Sequence, residues 1–199
     1  MGCIRHTFLH MDNDMFLLLY KTHVRPHLEY VNQVWYPTLQ KDIDAVENVQ
    51  RRACKMLPGM RDLSYEARLK KLCLPTLVYR RLRGSMIETY KSLNIYDNKI
   101  TPTLTRSISI TRGNTQKLFT NRCNKTHPKK HSFNIRVVAP WNSLPNHTVC
   151  SPNLPTFKAR LDKWWANQPV KYDYRADLII GHQRHSRTPQ QHTDLDIEA

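Results

Sequence analysis

Apolar residues recur at every fourth position in the middle of the chain, and this spacing constrains the fold more than any other feature. The stripe consists of Leu74, Val78, Leu82, Met86 and Tyr90. Residues four apart lie on one face of an α-helix, because a turn takes about 3.6 residues. The spacing therefore predicts a long helix over about 75–93 that is buried along one face. Arg80, Arg81 and Arg83 fall mostly off that stripe, so we expect them to be available to a binding partner.

Capping residues and prolines divide the rest of the chain into further helices. Asp12 or Asn13 can cap the first helix and Ser64 a short later one, since short polar side chains satisfy the free N–H groups of a first turn. The predicted helices cover about residues 14–23, 26–35, 43–57, 65–72, 133–142 and 152–165. The last of them has a predicted buried face made of Leu154, Phe157, Leu161, Trp164 and Trp165, and we expect Trp35 and Trp141 to anchor the core as well. The predicted fold is therefore mainly α, a helical bundle.

Two stretches depart from helical spacing. Residues 103–110 alternate between apolar and polar side chains, Gly113 lies in a turn sequence and residues 117–119 could pair back, which predicts a small β-hairpin insertion. From residue 166 onward the chain is polar, rich in His and Gln and aperiodic, which is typical of a disordered C-terminal tail. The predicted organisation is a helical region over 1–95, the hairpin and a basic loop over 96–130, C-terminal helices over 131–166 and a disordered tail over 167–199.

Positive charge is concentrated in the middle of the chain. Residues 51–136 hold 20 of the 31 lysines and arginines but only four of the 16 acids, a net charge of about +16, whereas the remaining residues are close to neutral. Such a local excess costs self-repulsion and indicates a polyanionic partner. No apolar run approaches the roughly 18 to 20 residues of a membrane span. Because the apolar residues are used in regular core spacing, we expect a nucleic acid rather than a membrane surface as the partner.

The five cysteines are odd in number and widely spread, and no cleavable signal pattern follows Met1. They indicate free thiols in a reducing compartment, and hence a nuclear or cytoplasmic protein. Cys123, His127, His147 and Cys150 could in principle supply four zinc ligands, although neither pair has Cys-x2-Cys spacing. The alternative is that these four are ordinary polar surface residues, and we expect no cofactor.

Two basic sets are candidate phosphate contacts. The first comprises Arg51, Arg52, Lys55, Arg68, Lys70, Lys71, Arg80, Arg81 and Arg83, and the second, near the hairpin, comprises Arg112, Lys117, Arg122, Lys125, Lys129 and Lys130. A cation that neutralises a phosphate adds salt-dependent affinity without reading the bases. The alternative is a solvated helix surface. Tyr79, Tyr90 and Phe119 could stack on bases, but aromatic residues at this spacing are more often core.

Several segments resemble the region that follows the polymerase domain in non-LTR retrotransposon reverse transcriptases of the jockey and chicken-repeat-1 type. The matching segments are FLLLY at 16–20, VRPHLEY at 24–30 with Trp35, ENVQRRA at 47–53, LSYE at 63–66, RLKKL at 68–72, LPTL at 74–77, YRRLRG at 79–84 and WNSLP at 141–145. The resemblance covers about residues 1–165 and rests on the order and spacing of many short motifs. Two departures are Cys73, where the family usually has Gly after a helix, and Ala67, where an acid would close a capping box.

The resemblance implies a helical, thumb-like region over 1–95 that grips a template–product duplex, so RNA or RNA–DNA duplex is the implied partner. The polymerase domain of the parent protein would be a second partner. Polymerase chemistry in this family needs an aromatic-x-Asp-Asp motif and a further upstream Asp, which hold two metal ions. The sequence has no such motif, and Asp42 and Asp44 are better placed at a helix start, where acids favour the positive end of the dipole. Ile4 and Phe8 are spaced like a helix whose earlier turns are gone.

We therefore expect a noncatalytic, truncated C-terminal part of a retrotransposon reverse transcriptase. A second hypothesis is a domesticated helical module that binds another protein and has no nucleic-acid role. A third is an enzyme with an unrecognised site, which the lack of a metal or nucleophile constellation disfavours.

Overall fold

A computed structural model describes residues 12–96, 104–107, 113–119 and 131–180. This part of the chain is mainly helical, as the apolar spacing predicts. The helices are α1 (Asn13–Leu19), α2 (Arg25–Glu29), α3 (Gln40–Cys54), α4 (Tyr65–Lys71), α5 (Leu77–Asn94), α6 (Phe133–Arg136), α7 (Val138–Asn142), α8 (Asn146–Val149) and α9 (Leu154–Trp164). A π-helical turn (Tyr20–Val24) joins α1 to α2, and a 3-10 turn (Pro169–Lys171) follows α9.

Side-chain caps begin four of these helices. The side chains of Asp12 and Ser64 accept from the N–H groups of Met15 and Ala67 at 2.7 and 3.2 Å, so both predicted caps are confirmed. Thr76 caps α5 and Asn153 caps α9 in the same way. The predicted helix over 26–35 is wrong beyond residue 29, because the chain turns after α2 and Val31 adopts a left-handed φ of 49°.

The core has two parts, and α5 contacts the helices of both. One cluster packs α5 against α9 and the helices before it, with Met86, Trp141 and Phe157 at its centre. The other joins α1, α3 and α4 through Phe16, Leu57, Leu69 and their neighbours. Because α5 packs against α9 on one side and α3 on another, more of its surface is buried than a single apolar stripe predicts.

Two of the four tryptophans predicted as core anchors lie at the surface. Trp141 and Trp165 are 0% and 1% exposed, whereas Trp164 is 44% and Trp35 39% exposed. The predicted burial of Trp164 is wrong because Phe157 and Leu161 set a four-residue register that continues at Trp165. The indole N–H of Trp35 is used locally, since it donates to the carbonyl of Tyr30.

The predicted hairpin is reduced, among the described residues, to one isolated antiparallel bridge between Arg106 and Leu118. Ser107 N–H donates to the Lys117 carbonyl, and Phe119 N–H donates to the Thr105 carbonyl, each at 2.8 Å. The pairing of 117–119 with the preceding segment is therefore confirmed, while residues 108–112, which include only the first residue of the predicted turn, lie outside the described residues.

The first part of the predicted disordered tail is folded. Val170 and Tyr174 are 1% and 8% exposed. The Thr76 hydroxyl donates to the Val170 carbonyl at 2.6 Å, and the Thr76 N–H donates to the Lys171 carbonyl at 2.9 Å. The prediction of disorder is wrong for residues 167–180 because these contacts seat the segment on the start of α5. Residues 181–199 lie outside the described part.

A Schellman motif ends α4 with cysteine at the position that favours glycine. Cys73 has φ 49°, its N–H donates to the Lys70 carbonyl at 3.2 Å, and Leu74 N–H donates to the Leu69 carbonyl at 3.0 Å. These are the two hydrogen bonds of that motif. The family resemblance implies Gly at this position, and the backbone has the conformation that Gly provides.

We expect Cys73→Gly to raise the free energy of unfolding by about 0.5–1 kcal/mol. A side chain in the left-handed region costs roughly 1–2 kcal/mol, which glycine avoids. Part of this gain is offset because glycine gives the unfolded chain more conformational entropy. Urea unfolding at equilibrium measures the change. Gly59→Ala is the matched control: Gly59 has φ +69° and no atom within 4 Å of an added Cβ, so this variant should lose stability for backbone reasons alone. A destabilised Cys73→Gly protein would contradict the expectation.

Candidate nucleic-acid interface

A basic surface pocket lies at the C-terminal end of α3. Its volume is about 270 Å³, and it is lined by Arg52, Lys55, Met56 and Arg61. The three cations are exposed, and Met56 is half-buried. No carboxylate lines the pocket.

The buried residues of this segment determine which side chains face the pocket. Ala53, Cys54, Leu57 and Met60 are at most 1% exposed and belong to the core cluster around α3 and α4. The intervening residues are therefore left on the outer side of the chain. Gly59, with φ +69°, lets the chain turn tightly after Pro58. This turn brings Arg61, which sequence reasoning missed, beside the end of α3.

None of the three pocket cations forms an ion pair within the described residues. The five ion pairs found there involve Arg25, Lys70, Arg80, Arg83 and Lys91. Arg52 lies in the last turn of α3, where a cation also interacts favourably with the negative end of the helix dipole. That interaction does not explain Arg61, which lies beyond the helix. The pocket therefore holds three positive charges that form no ion pair with a described carboxylate.

Arg51, one residue before Arg52, is used inside the protein. Its guanidinium donates to the Asn48 side chain at 3.0 Å and to the Tyr174 hydroxyl at 2.9 Å, and it lies 5.1 Å from the Tyr65 ring centroid. Arg68 is 3% exposed, and its guanidinium donates to the Arg51 carbonyl at 3.2 Å. The expectation that Arg68 is free to contact phosphate is wrong, because its side chain joins α4 to α3.

Two of the three α5 arginines form ion pairs, and the third is buried. Arg80 forms an ion pair with Glu29. The guanidinium of Arg83 donates to both carboxylate oxygens of Asp162 in α9, at 2.5 and 2.8 Å. Arg81 is 1% exposed. The expectation that Arg81 is available to a partner is wrong, because it lies on a second buried face of α5 with Leu77 and Ser85.

The remaining residues predicted to contact phosphate differ in their exposure. Lys71 is exposed at the end of α4 and has no ion pair in the described part of the chain. Lys117 is half-buried beside Gly113, and its backbone forms part of the antiparallel bridge. Lys70 forms an ion pair with Glu66 at 2.8 Å. The other members of the second set, Arg112, Arg122, Lys125, Lys129 and Lys130, lie outside the described residues.

A buried carboxylate lies between α3 and α5. Glu47 is 0% exposed and accepts from the Tyr65 hydroxyl at 2.7 Å and from the Leu77 N–H at 3.1 Å. Burial raises the pKa of Glu47, outweighing those hydrogen bonds and the positive charges of Arg81 and Arg51. Desolvation in turn lowers the pKa of Arg81, against the opposing effect of Tyr36 and of the carboxylates Glu47 and Glu29.

We expect the protein to lose stability relative to its Glu47→Gln variant as the pH rises. A carboxyl whose pKa is raised on folding stabilises the fold fully below its unfolded pKa, about 4.3, and that contribution is lost as the pH rises through the folded pKa. Glutamine keeps an acceptor oxygen but does not titrate. Urea unfolding of both proteins at several pH values between about 4 and 8 measures the difference in stability. A difference that does not change with pH would contradict a raised pKa for Glu47.

The aromatic candidates for base stacking differ in exposure. Tyr79 and Tyr90 are 5% and 3% exposed and belong to the core, in agreement with the alternative interpretation. The Tyr90 ring stacks on Phe157 at 4.5 Å and its hydroxyl donates to the Ser151 carbonyl. Phe119 is 57% exposed.

The residues considered for metal binding and catalysis are not brought together where the chain is described. Cys150 contacts the Asn146 side chain at 3.4 Å, while Cys123 and His127 lie outside the described part. Within 12–96, 104–107, 113–119 and 131–180, no group of three or more His, Cys, Asp or Glu side chains could hold a metal ion. Asp42 lies in the first turn of α3, as its position after a helix start predicts.

Among the described residues, no helix has the length and apolarity to cross a membrane. Comparison with known proteins adds no relative: the chain matches no protein-family model, no curated protein and no solved structure.

Proposed function

We propose that this chain binds RNA or RNA–DNA duplex through the phosphate backbone, as the noncatalytic C-terminal part of a non-LTR retrotransposon reverse transcriptase. The strongest support for this proposal comes from the basic pocket at the end of α3. Arg52, Lys55 and Arg61 line one pocket without an ion pair among the described residues. Three like charges on one concave surface repel each other, so a polyanion that neutralises them would bind favourably.

The occupied arginines narrow the proposed contact surface. Arg80 and Arg83 each bind a carboxylate, and Arg68 and Arg81 are buried, so a phosphate would have to displace an existing partner or open the core. The proposed contacts are therefore Arg52, Lys55 and Arg61 in the pocket, together with Lys71, which is exposed in the last turn of α4. We propose a nuclear or cytoplasmic location and no membrane role.

A second candidate function is a helical module that binds another protein. It is favoured by apolar exposure in the segment between α2 and α3. The exposed large apolar side chains there are Tyr30, Val31, Val34, Trp35 and Leu39. A concentration of this kind is typical of protein-interaction surfaces. The polymerase domain of the parent protein would be a partner of this class.

The salt dependence of binding separates the two functions. We expect the affinity for duplex RNA or RNA–DNA to fall with salt, with a log–log slope of at least about 3, because each phosphate contact contributes about 0.9 for a duplex. Two duplexes of equal length and unrelated sequence should bind within a few-fold of each other, since phosphate contacts do not read bases. Fluorescence anisotropy at several salt concentrations measures both quantities. Absence of binding, or a slope near zero, would contradict the proposal and favour the protein-interaction module.

A further inference from the structure

The Arg52–Lys55–Arg61 pocket has more positive charge than one backbone phosphate can neutralise. An internal phosphodiester carries one negative charge and has two ester substituents that must both leave the pocket. A terminal phosphate monoester carries about 1.5 to 2 negative charges near pH 7 and has a single substituent. Three unpaired cations around a concave site therefore match the terminal group better in charge and in shape.

The size and composition of the pocket agree with this match. Its volume of about 270 Å³ lies just below the roughly 300–1,000 Å³ of pockets that hold drug-sized ligands. It thus suits a phosphate together with the sugar that carries it. Met56 gives the pocket an apolar wall against which that sugar can pack. The carbonyl groups at the end of α3 oppose an anion, and Arg51 and Arg52 in the last turn offset them.

We propose that this pocket binds the terminal phosphate of a nucleic-acid strand, and that it does so in preference to internal phosphates. The proposal rests on the proposed nucleic-acid binding and assigns a specific group to the same site. A terminal phosphate carries up to about one negative charge more than an internal phosphodiester. The attraction of this extra charge to the three cations is modest in water, so we expect a preference of about tenfold for the phosphorylated end.

Three RNAs of one sequence test the proposal, with a 5′-phosphate, with a 3′-phosphate or with hydroxyl groups at both ends. We expect at least one phosphorylated RNA to bind the full chain about tenfold more tightly than the hydroxyl RNA. The preference should shrink between about pH 7.5 and 5.5, because the second pKa of a phosphate monoester is about 6. Arginine, lysine and methionine, which line the pocket, do not titrate in that range. Arg61→Gln should abolish the preference, whereas Lys41→Gln, a charge loss at the other end of α3, should preserve it.

The other outcomes overturn the inference in distinguishable ways. Equal, salt-dependent binding of all three RNAs would remove the terminal-phosphate site and leave the proposed function standing. A preference that survives in Arg61→Gln would place the site elsewhere. Inorganic phosphate that displaces the phosphorylated RNA at equal concentration would identify the free ion as the ligand. If none of the three RNAs binds, the proposed function is overturned as well.

Discussion

Replacing Trp141 by alanine is expected to lower the free energy of unfolding by about 3–5 kcal/mol, the range for removing a large aromatic side chain from a core. Trp141 is 0% exposed, and its ring centroid lies 5.9 Å from that of Phe157. Its indole N–H donates to the Gln116 carbonyl at 2.8 Å. The substitution therefore leaves a cavity in the core, and it leaves the Gln116 carbonyl without this hydrogen-bond donor.

Trp164→Ala is the control for this loss, because it removes the same side chain from a position that is 44% exposed. We expect this variant to lose about 1 kcal/mol or less, in line with surface substitutions. Urea unfolding monitored by far-UV circular dichroism compares the two variants directly. Similar losses in both variants, or a larger one for Trp164→Ala, would contradict the packing register of α9.

Local rules predict the helices and their caps well, because the determining interactions are close in sequence. Asp12 and Ser64 each cap a helix through an N–H group three residues later, so a short sequence window contains both partners. The register at the end of α9 is harder to predict. Trp164 and Trp165 are adjacent, and only the packing of Phe157 and Leu161 against α5 determines which of them is buried.

The arginines show where sequence reasoning fails for the candidate site. One apolar stripe on α5 predicts one buried face, but the helix packs on α3 as well as α9, and this second contact buries Arg81. The partners of Arg80 and Arg83 lie 51 and 79 residues away, so the sequence does not show that they are occupied. Arg61 could have been found from Gly59, since a tight turn returns the chain toward the preceding helix.

The folded segment after α9 was missed for a similar reason. Val170, Tyr174 and Leu178 are spaced four residues apart, but the stretch around them is polar, and its composition predicts disorder. Their burial depends on contacts with residues about 100 positions earlier, including the hydrogen bond from Thr76 to the Val170 carbonyl. Composition therefore does not predict the folding of a segment that is held in place by distant contacts.

Loss of the three pocket charges is expected to have the second large effect, on nucleic-acid affinity. At about 0.1 M salt, three phosphate contacts at about 0.9 each correspond to roughly two to three orders of magnitude in affinity. We expect the triple variant Arg52→Gln, Lys55→Gln, Arg61→Gln to lose up to this amount for duplex RNA. Glutamine has nearly the helix propensity of Arg and Lys, and the three side chains are exposed, so the fold should be retained.

Phosphate binding by the pocket is tested most directly by comparing the salt dependence of RNA binding by this triple variant with that of a charge-matched control variant. The control variant Lys21→Gln, Lys41→Gln, Lys163→Gln removes three exposed lysines that have no ion pair in the described part of the chain and lie outside the pocket. Both variants are first shown to be folded by circular dichroism. Binding to one RNA duplex with hydroxyl groups at its ends, which offers the pocket backbone phosphates alone, is then measured against salt. We expect the log–log slope to fall by up to about three units for the pocket variant and to change little for the control. A folded pocket variant that keeps the affinity and slope of the original protein, or a control that loses as much, would contradict the central claim.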